Sequence, residues 1–115
     1  MPDTSDQACV AGVCQPVTSV GFDPQAAERL AKGFKALADP TRVRLLFLIA
    51  TSPGQEACIC HLTEPVGLSQ PTVSHHMKQL VEAGLVSREQ RGKWAFYAIV
   101  PGSLDTLGAV LTGRP

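Results

Sequence analysis

The chain has 115 residues, 44% of them hydrophobic and 17% charged, with 10 Lys+Arg against 10 Asp+Glu. That length holds one small domain, or a domain with a tail, and a net charge of zero excludes both a polycation that coats nucleic acid and an acidic disordered tail. The zero is an average. Residues 1–28 carry Asp3, Asp6, Asp23 and Glu28 but no Lys or Arg, and every basic residue lies from Arg29 onward. An acidic front precedes a basic remainder, so any argument for nucleic acid has to be local.

No run approaches the roughly 18 uncharged apolar residues of a membrane span. The N-terminus lacks the basic segment and long apolar stretch of a signal peptide. The expectation is a cytoplasmic protein without a membrane partner, in which thiols stay reduced. Its four cysteines are then read as reactive or metal-binding groups before staples.

Residues 1–22 show no sustained periodicity and read as a flexible, thiol-bearing arm; residues 23–112 read as the folded domain. Asp23-Pro24 is a helix start, an N-cap followed by proline at the first helical position. Ala27, Leu30, Ala31, Phe34, Leu37 and Ala38 then share one face. Asp39-Pro40 repeats the start signal and opens a second helix with Val43, Leu45, Leu46, Leu48 and Ile49, apolar nearly all round and so expected at the centre. Thr51-Ser52-Pro53-Gly54 ends it. A short helix is expected over about Cys58–Glu64, stopped or kinked by Pro65, with a turn at Val66-Gly67-Leu68. Ser69 caps the next helix, Pro71 lies in its first turn, Val73, Met77, Leu80 and Val81 form its inward stripe, and Gly84 ends it. Two β-prone runs, Leu85–Gln90 and Trp94–Val100, flank Arg91-Gly92-Lys93 as a hairpin. After Pro101-Gly102, Leu104, Leu107, Val110 and Leu111 mark a closing helix.

A short helix, a turn and a capped helix make a helix-turn-helix, and the hairpin after it a wing. The fold expected is mainly α (α+β), a winged helix-turn-helix with four helices, a β-hairpin and a C-terminal helix. The candidate recognition helix presents Ser69, Gln70, Thr72, Ser74, His75 and Gln79. Short hydroxyl, amide and imidazole groups donate to and accept from base edges in the major groove, whereas an ordinary exposed helix carries Glu/Lys pairs. Lys78, Arg88, Arg91 and Lys93 are the phosphate-contact candidates, the last three at the wing. Trp94, Phe96 and Tyr97 read as packing groups, with Phe96 turned inward. One such module buries too little DNA for tight specific binding, so a homodimer on an inverted repeat is expected, joined through the apolar stripes of the terminal helices.

Glu56-Ala57-Cys58-Ile59-Cys60-His61-Leu62, Leu68-Ser69-Gln70-Pro71-Thr72-Val73-Ser74-His75-His76-Met77 and Gly92-Lys93-Trp94-Ala95-Phe96-Tyr97 closely resemble the ArsR/SmtB family of metal-responsive repressors. Phe34 through Arg42 is similar to the family's opening signature. The resemblance covers residues 24–111. It implies a dimeric winged helix that occupies its operator and leaves when an inducer binds.

Cys58-Ile59-Cys60 is a C-x-C pair, and Cys9 and Cys14 lie in the arm. On an ideal helix a C-x-C pair points its thiols about 200° apart at about 100° per residue, so the two can share an ion only where the helix start is distorted. Soft thiolates select As(III), Sb(III), Cd(II), Pb(II) and Zn(II) over hard cations. The resemblance implies inducer thiolates at Cys58 and Cys60. Thr63 stands where the best-known arsenite sensors carry a third cysteine, a departure, and other members complete the site from the arm, as Cys14 and Cys9 could here. As(III) or Sb(III) is the favoured inducer; the alternative is Cd(II) or Pb(II) held by all four thiolates. His61 reads as a surface neighbour of the thiols. Residues 102–115 hold Asp105 but no His, against a zinc-type site on the last helix. The competing reading from another class is a thiol redox or metal-transfer protein. Against an enzyme, no acid/base pair, phosphate loop or Cys–His–Asp arrangement is present.

Overall fold

The computed structural model describes residues 7–10, 13–16 and 24–113. Two short strands, β1 (Gln7–Val10) and β2 (Val13–Pro16), pair antiparallel ahead of the domain. Within the thiol-bearing arm these residues form a backbone ladder, with Cys9 opposite Cys14 in register. The remainder of the arm lies outside the described residues.

The domain runs α1 (Pro24–Leu37), α2 (Pro40–Ala50), β3 (Glu56–Cys58), a 3-10 turn over Ile59–His61, α3 (Thr63–Val66), α4 (Gln70–Glu82), β4 (Val86–Arg91), β5 (Trp94–Ile99) and α5 (Ser103–Thr112). Asp39 separates the first two helices as the sequence implies. Its backbone is extended, and a carboxylate oxygen accepts from the amides of Thr41 at 2.8 Å and Arg42 at 3.1 Å, satisfying two donors that the first turn of α2 leaves open. These amide bonds, that from Arg42 foremost, hold the Asp39 carboxyl below its ordinary range.

A group with a depressed folded pKa contributes in full above its unfolded pKa and loses that contribution as pH falls through the folded one. Asp39→Ala is therefore expected to lower the thermal unfolding midpoint by a few degrees at neutral pH. The deficit should shrink in acid as the wild-type cap protonates. Asp39→Asn, which keeps an acceptor, should retain most of the neutral-pH midpoint. Equal midpoints for wild type and Asp39→Ala in calorimetry would remove the cap from the account.

The core is built from Leu45 and Ile49 of α2, Ile59 and Leu62 after β3, and Val73, Met77 and Leu80 of α4, all essentially buried. Helix α2 is central on one face only: Val43 and Phe47 are exposed, Phe47 to 64%. At Gly33 of α1 an added Cβ would lie 3.1 Å from Leu107 of α5. The missing side chain is what allows these two helices to meet closely.

Two expectations are corrected in the middle of the chain. The helix placed over Cys58–Glu64 is instead a strand end, a 3-10 turn and a four-residue helix from Thr63. Pro65 lies inside that helix, in its first turn, where its missing N–H is not needed. Gly67 ends it at φ 68°. The wing also gains a third strand, because β3 pairs with β5 in the order β3-β5-β4.

The alternation of β5 is reversed relative to expectation. Ala95 and Tyr97 are buried and Phe96 is half-buried. The ladders place Tyr97 between Ala57 and Arg88, and Phe96 between Cys58 and Glu89. Directly paired residues share a sheet face, so the Ala57–Tyr97–Arg88 row lies on one face and the Cys58–Phe96–Glu89 row on the other. Sequence periodicity gives the period of a strand but not its phase.

Candidate nucleic-acid interface and thiol centre

Helix α4 presents most of the expected reading groups to solvent. Gln70, Thr72, His75 and Lys78 are exposed, and Ser74 is half-buried. Ser69 is exposed but locally engaged. Its Oγ shares a 2.9 Å hydrogen bond with the Thr72 hydroxyl and accepts from the Thr72 amide at 3.4 Å, so its first role is as the N-cap of α4. Ser74, Lys78 and Arg88 line one groove of about 280 Å³ floored by Val81 and Tyr97, where the helix meets the wing. That groove brings two expected cations and one hydroxyl to a single surface.

At the wing, Lys93 is exposed, and Arg88 donates to the Gln90 side-chain carbonyl at 2.7 Å. Arg91 is differently placed. Its guanidinium donates to both carboxylate oxygens of Glu56 at 2.8 and 2.6 Å, to Glu89, and stacks on the Phe96 ring with 4.5 Å to the centroid. The bond to Arg91 holds the Glu56 carboxyl below its usual range, and the two carboxylates hold Arg91 firmly protonated.

Three positions without an assignment from sequence make long-range contacts, two of them to the helix-turn-helix and one within the wing sheet. Arg42 of α2 donates through Nε to the Ala36 carbonyl at 2.6 Å and lies 3.4 Å from His76 Nδ1 on α4. Arg44 donates to the Pro65 carbonyl of α3 at 2.7 Å. Glu56 reaches the wing across 35 residues of sequence. The contacts to His76, Pro65 and Arg91 span 34, 21 and 35 residues, so no local spacing reveals them.

The thiols meet ahead of α3. Cys58, the last residue of β3, is buried, and Cys60 is half-buried in the 3-10 turn. Their sulfurs are paired, with Cα atoms 5.2 Å apart. The extended backbone of Cys58 at ψ 143°, where a helix was expected, resolves the divergence that an ideal helix would impose. The Cys60 amide also donates to Cys58 Sγ at 3.3 Å. His61 is exposed. Among the described residues no group of three or more His, Cys, Asp or Glu converges on one point, so this centre offers two sulfur ligands by itself. A pyramidal As(III) or a tetrahedral Cd(II) needs more, and Cys9 and Cys14 are the remaining thiols of the chain.

A capped recognition helix, a three-stranded wing and a thiol pair feeding the short helix define a winged helix-turn-helix DNA-binding protein. Comparison with known proteins narrows the class. Residues 39–88 match the model of the bacterial regulatory protein arsR family. An arsenical resistance operon repressor of Staphylococcus xylosus is 38% identical over 68% of this chain and 72% of its own length. The arsenic resistance transcriptional regulator ArsR1 of Pseudomonas putida is 42% identical over 70% of this chain; the matched segment spans 61% of that protein. A crystallised ArsR family transcriptional regulator superposes with a TM-score of 0.66 at 26% identity, covering 76% of this chain and 87% of its own. The chain belongs to the ArsR family of bacterial regulators.

Proposed function

We propose that the protein is a cytoplasmic, homodimeric transcriptional repressor of a metalloid-resistance system. It binds an inverted-repeat operator and is released when As(III) or Sb(III) is bound by cysteine thiolates. The observation that carries this reading is the convergence of the Cys58 and Cys60 sulfurs immediately before α3. Reduced, that pair is a two-thiolate ligand for a soft ion, built into the chain that leads into the DNA-reading unit. The arsenic and arsenical resistance regulators among the relatives favour the metalloid. Cys14, with Cys9 beside it, supplies the third sulfur.

In this reading Gln70, Thr72, Ser74 and His75 read bases, with Ser69 fixing the start of α4. Lys78, Arg88 and Lys93 contact phosphates, and Arg91 joins them once freed from Glu56. Exposed Val110 and Leu111 on α5, beside the tight α1–α5 contact, give the dimer its apolar surface. No helix among the described residues is long and apolar enough to cross a membrane, in keeping with a regulator that works on DNA.

A second reading, a Cd(II) or Pb(II) sensor using four thiolates, draws support from the β1–β2 register, which sets Cys9 opposite Cys14. The two are separated by titrating reduced protein, bound to labelled duplex from its own promoter, with arsenite, antimonite and Cd(II). Release by arsenite and antimonite with the ultraviolet absorption of three sulfur–arsenic bonds is the expected result. Release by Cd(II) alone would establish the second reading. Retention on DNA with all three ions would refute metal-responsive repression.

A further inference from the structure

The register places Glu56, Cys58, Phe96, Glu89 and Arg91 on one face of the wing sheet. Arg91 does not extend from the wing tip. It lies back over Phe96, the cross-strand partner of Cys58, with its fork closed on Glu56 two residues before that cysteine. A planar fork that binds both oxygens of a carboxylate matches a phosphate equally well. The same donors cannot serve both acceptors at once.

We propose that Glu56 is a positioning residue that competes with DNA phosphate for Arg91, so that the wing carries one cationic contact it can either offer or withhold. This deepens the repressor reading and rests on its assignment of the wing to DNA. In the free protein Arg91 is withheld. On DNA its guanidinium is divided between Glu56 and a phosphate oxygen, so that only a fraction of the wild-type complexes carries the phosphate contact. The competition lowers the affinity of the wing for DNA of any sequence, because phosphate contacts are blind to bases. It also ties that affinity to the strand bearing Cys58. An ion bound by Cys58 and Cys60 fixes β3 and Phe96, and with them the seat in which Arg91 is held.

The test uses the full-length reduced protein and a labelled duplex of random sequence, on which the phosphate contribution is read without an operator. Affinity is measured by fluorescence anisotropy over a salt series for wild type, Glu56→Gln, Arg91→Ala and the double variant. Glu56→Gln should bind severalfold more tightly than wild type. Its logarithmic salt slope should steepen by up to roughly 0.9, the contribution of one phosphate contact. In the Arg91→Ala background the Glu56→Gln change should have no effect on either quantity.

Equal gains from Glu56→Gln with and without Arg91 would mean simple charge repulsion and would overturn the proposal. So would an unchanged slope. Arg88→Ala and Lys93→Ala distinguish that failure from failure of the wing assignment. If they flatten the slope while Glu56→Gln leaves it alone, the wing touches DNA and only the competition is refuted. If none of the variants moves the slope, both are refuted.

Discussion

Replacing Cys58 and Cys60 together by Ser is expected to leave operator binding within a few-fold of wild type and to abolish its release by arsenite. Neither sulfur lies among the exposed groups of α4 or the wing turn, so the DNA-facing chemistry survives. A hydroxyl is a hard, weakly acidic ligand and does not replace a thiolate on a soft ion. Allosteric coupling between inducer and operator is typically about 1–3 kcal/mol, or about 5- to 150-fold in affinity, and this variant should lose all of it. Cys58 is buried, and a hydroxyl there would want a partner. The Ala pair, which removes the sulfurs without adding a polar group, is therefore the companion variant. Mobility-shift titrations with arsenite check both. If either folded variant still leaves the operator at wild-type arsenite concentrations, the inducer site lies elsewhere.

Gln70→Ala and Thr72→Ala are expected to weaken operator binding by roughly 1–3 kcal/mol each if each side chain makes a base contact. Binding to random duplex should change far less, so the ratio of the two affinities is the quantity to follow. Gln70 stands exposed at the first position of α4, with both amide functions available. The Thr72 hydroxyl is hydrogen-bonded to Ser69, so its loss acts on the helix start as well as on a base. Thr72→Ser keeps the hydroxyl and should recover most of the affinity if the hydroxyl is what matters. A thymine methyl as its partner would instead leave Thr72→Ser as weak as Thr72→Ala. An unchanged ratio for Gln70→Ala would remove it from the base-reading set.

The helices and their ends were legible because their causes are local. Asp39-Pro40 and Ser69 cap through bonds to residues two or three positions on, and the wing turn is marked by Gly92 at φ 63°. The candidate recognition helix is marked by the Ser69 cap, its apolar stripe and its polar outward face. Strand β3 was missed because three residues carry no periodicity, and its pairing with β5 is decided some 40 positions away. That strand is what gives the thiol pair its geometry. The inward phase of Tyr97 rather than Phe96, and the capture of Arg91 by Glu56, are likewise products of sheet register. Candidate site residues could therefore be named from the sequence, while their mutual contacts could not.

The two arginines of α2 give the reading unit a common mount. Arg42 reaches His76 on α4 and Arg44 reaches the Pro65 carbonyl on α3, so both halves of the helix-turn-helix are tied to residues two positions apart on one helix. Neither half can tilt alone without straining a contact whose other end is fixed in the same helix. A displacement of α3 therefore loads the same helix that holds α4, and α2 couples the two halves.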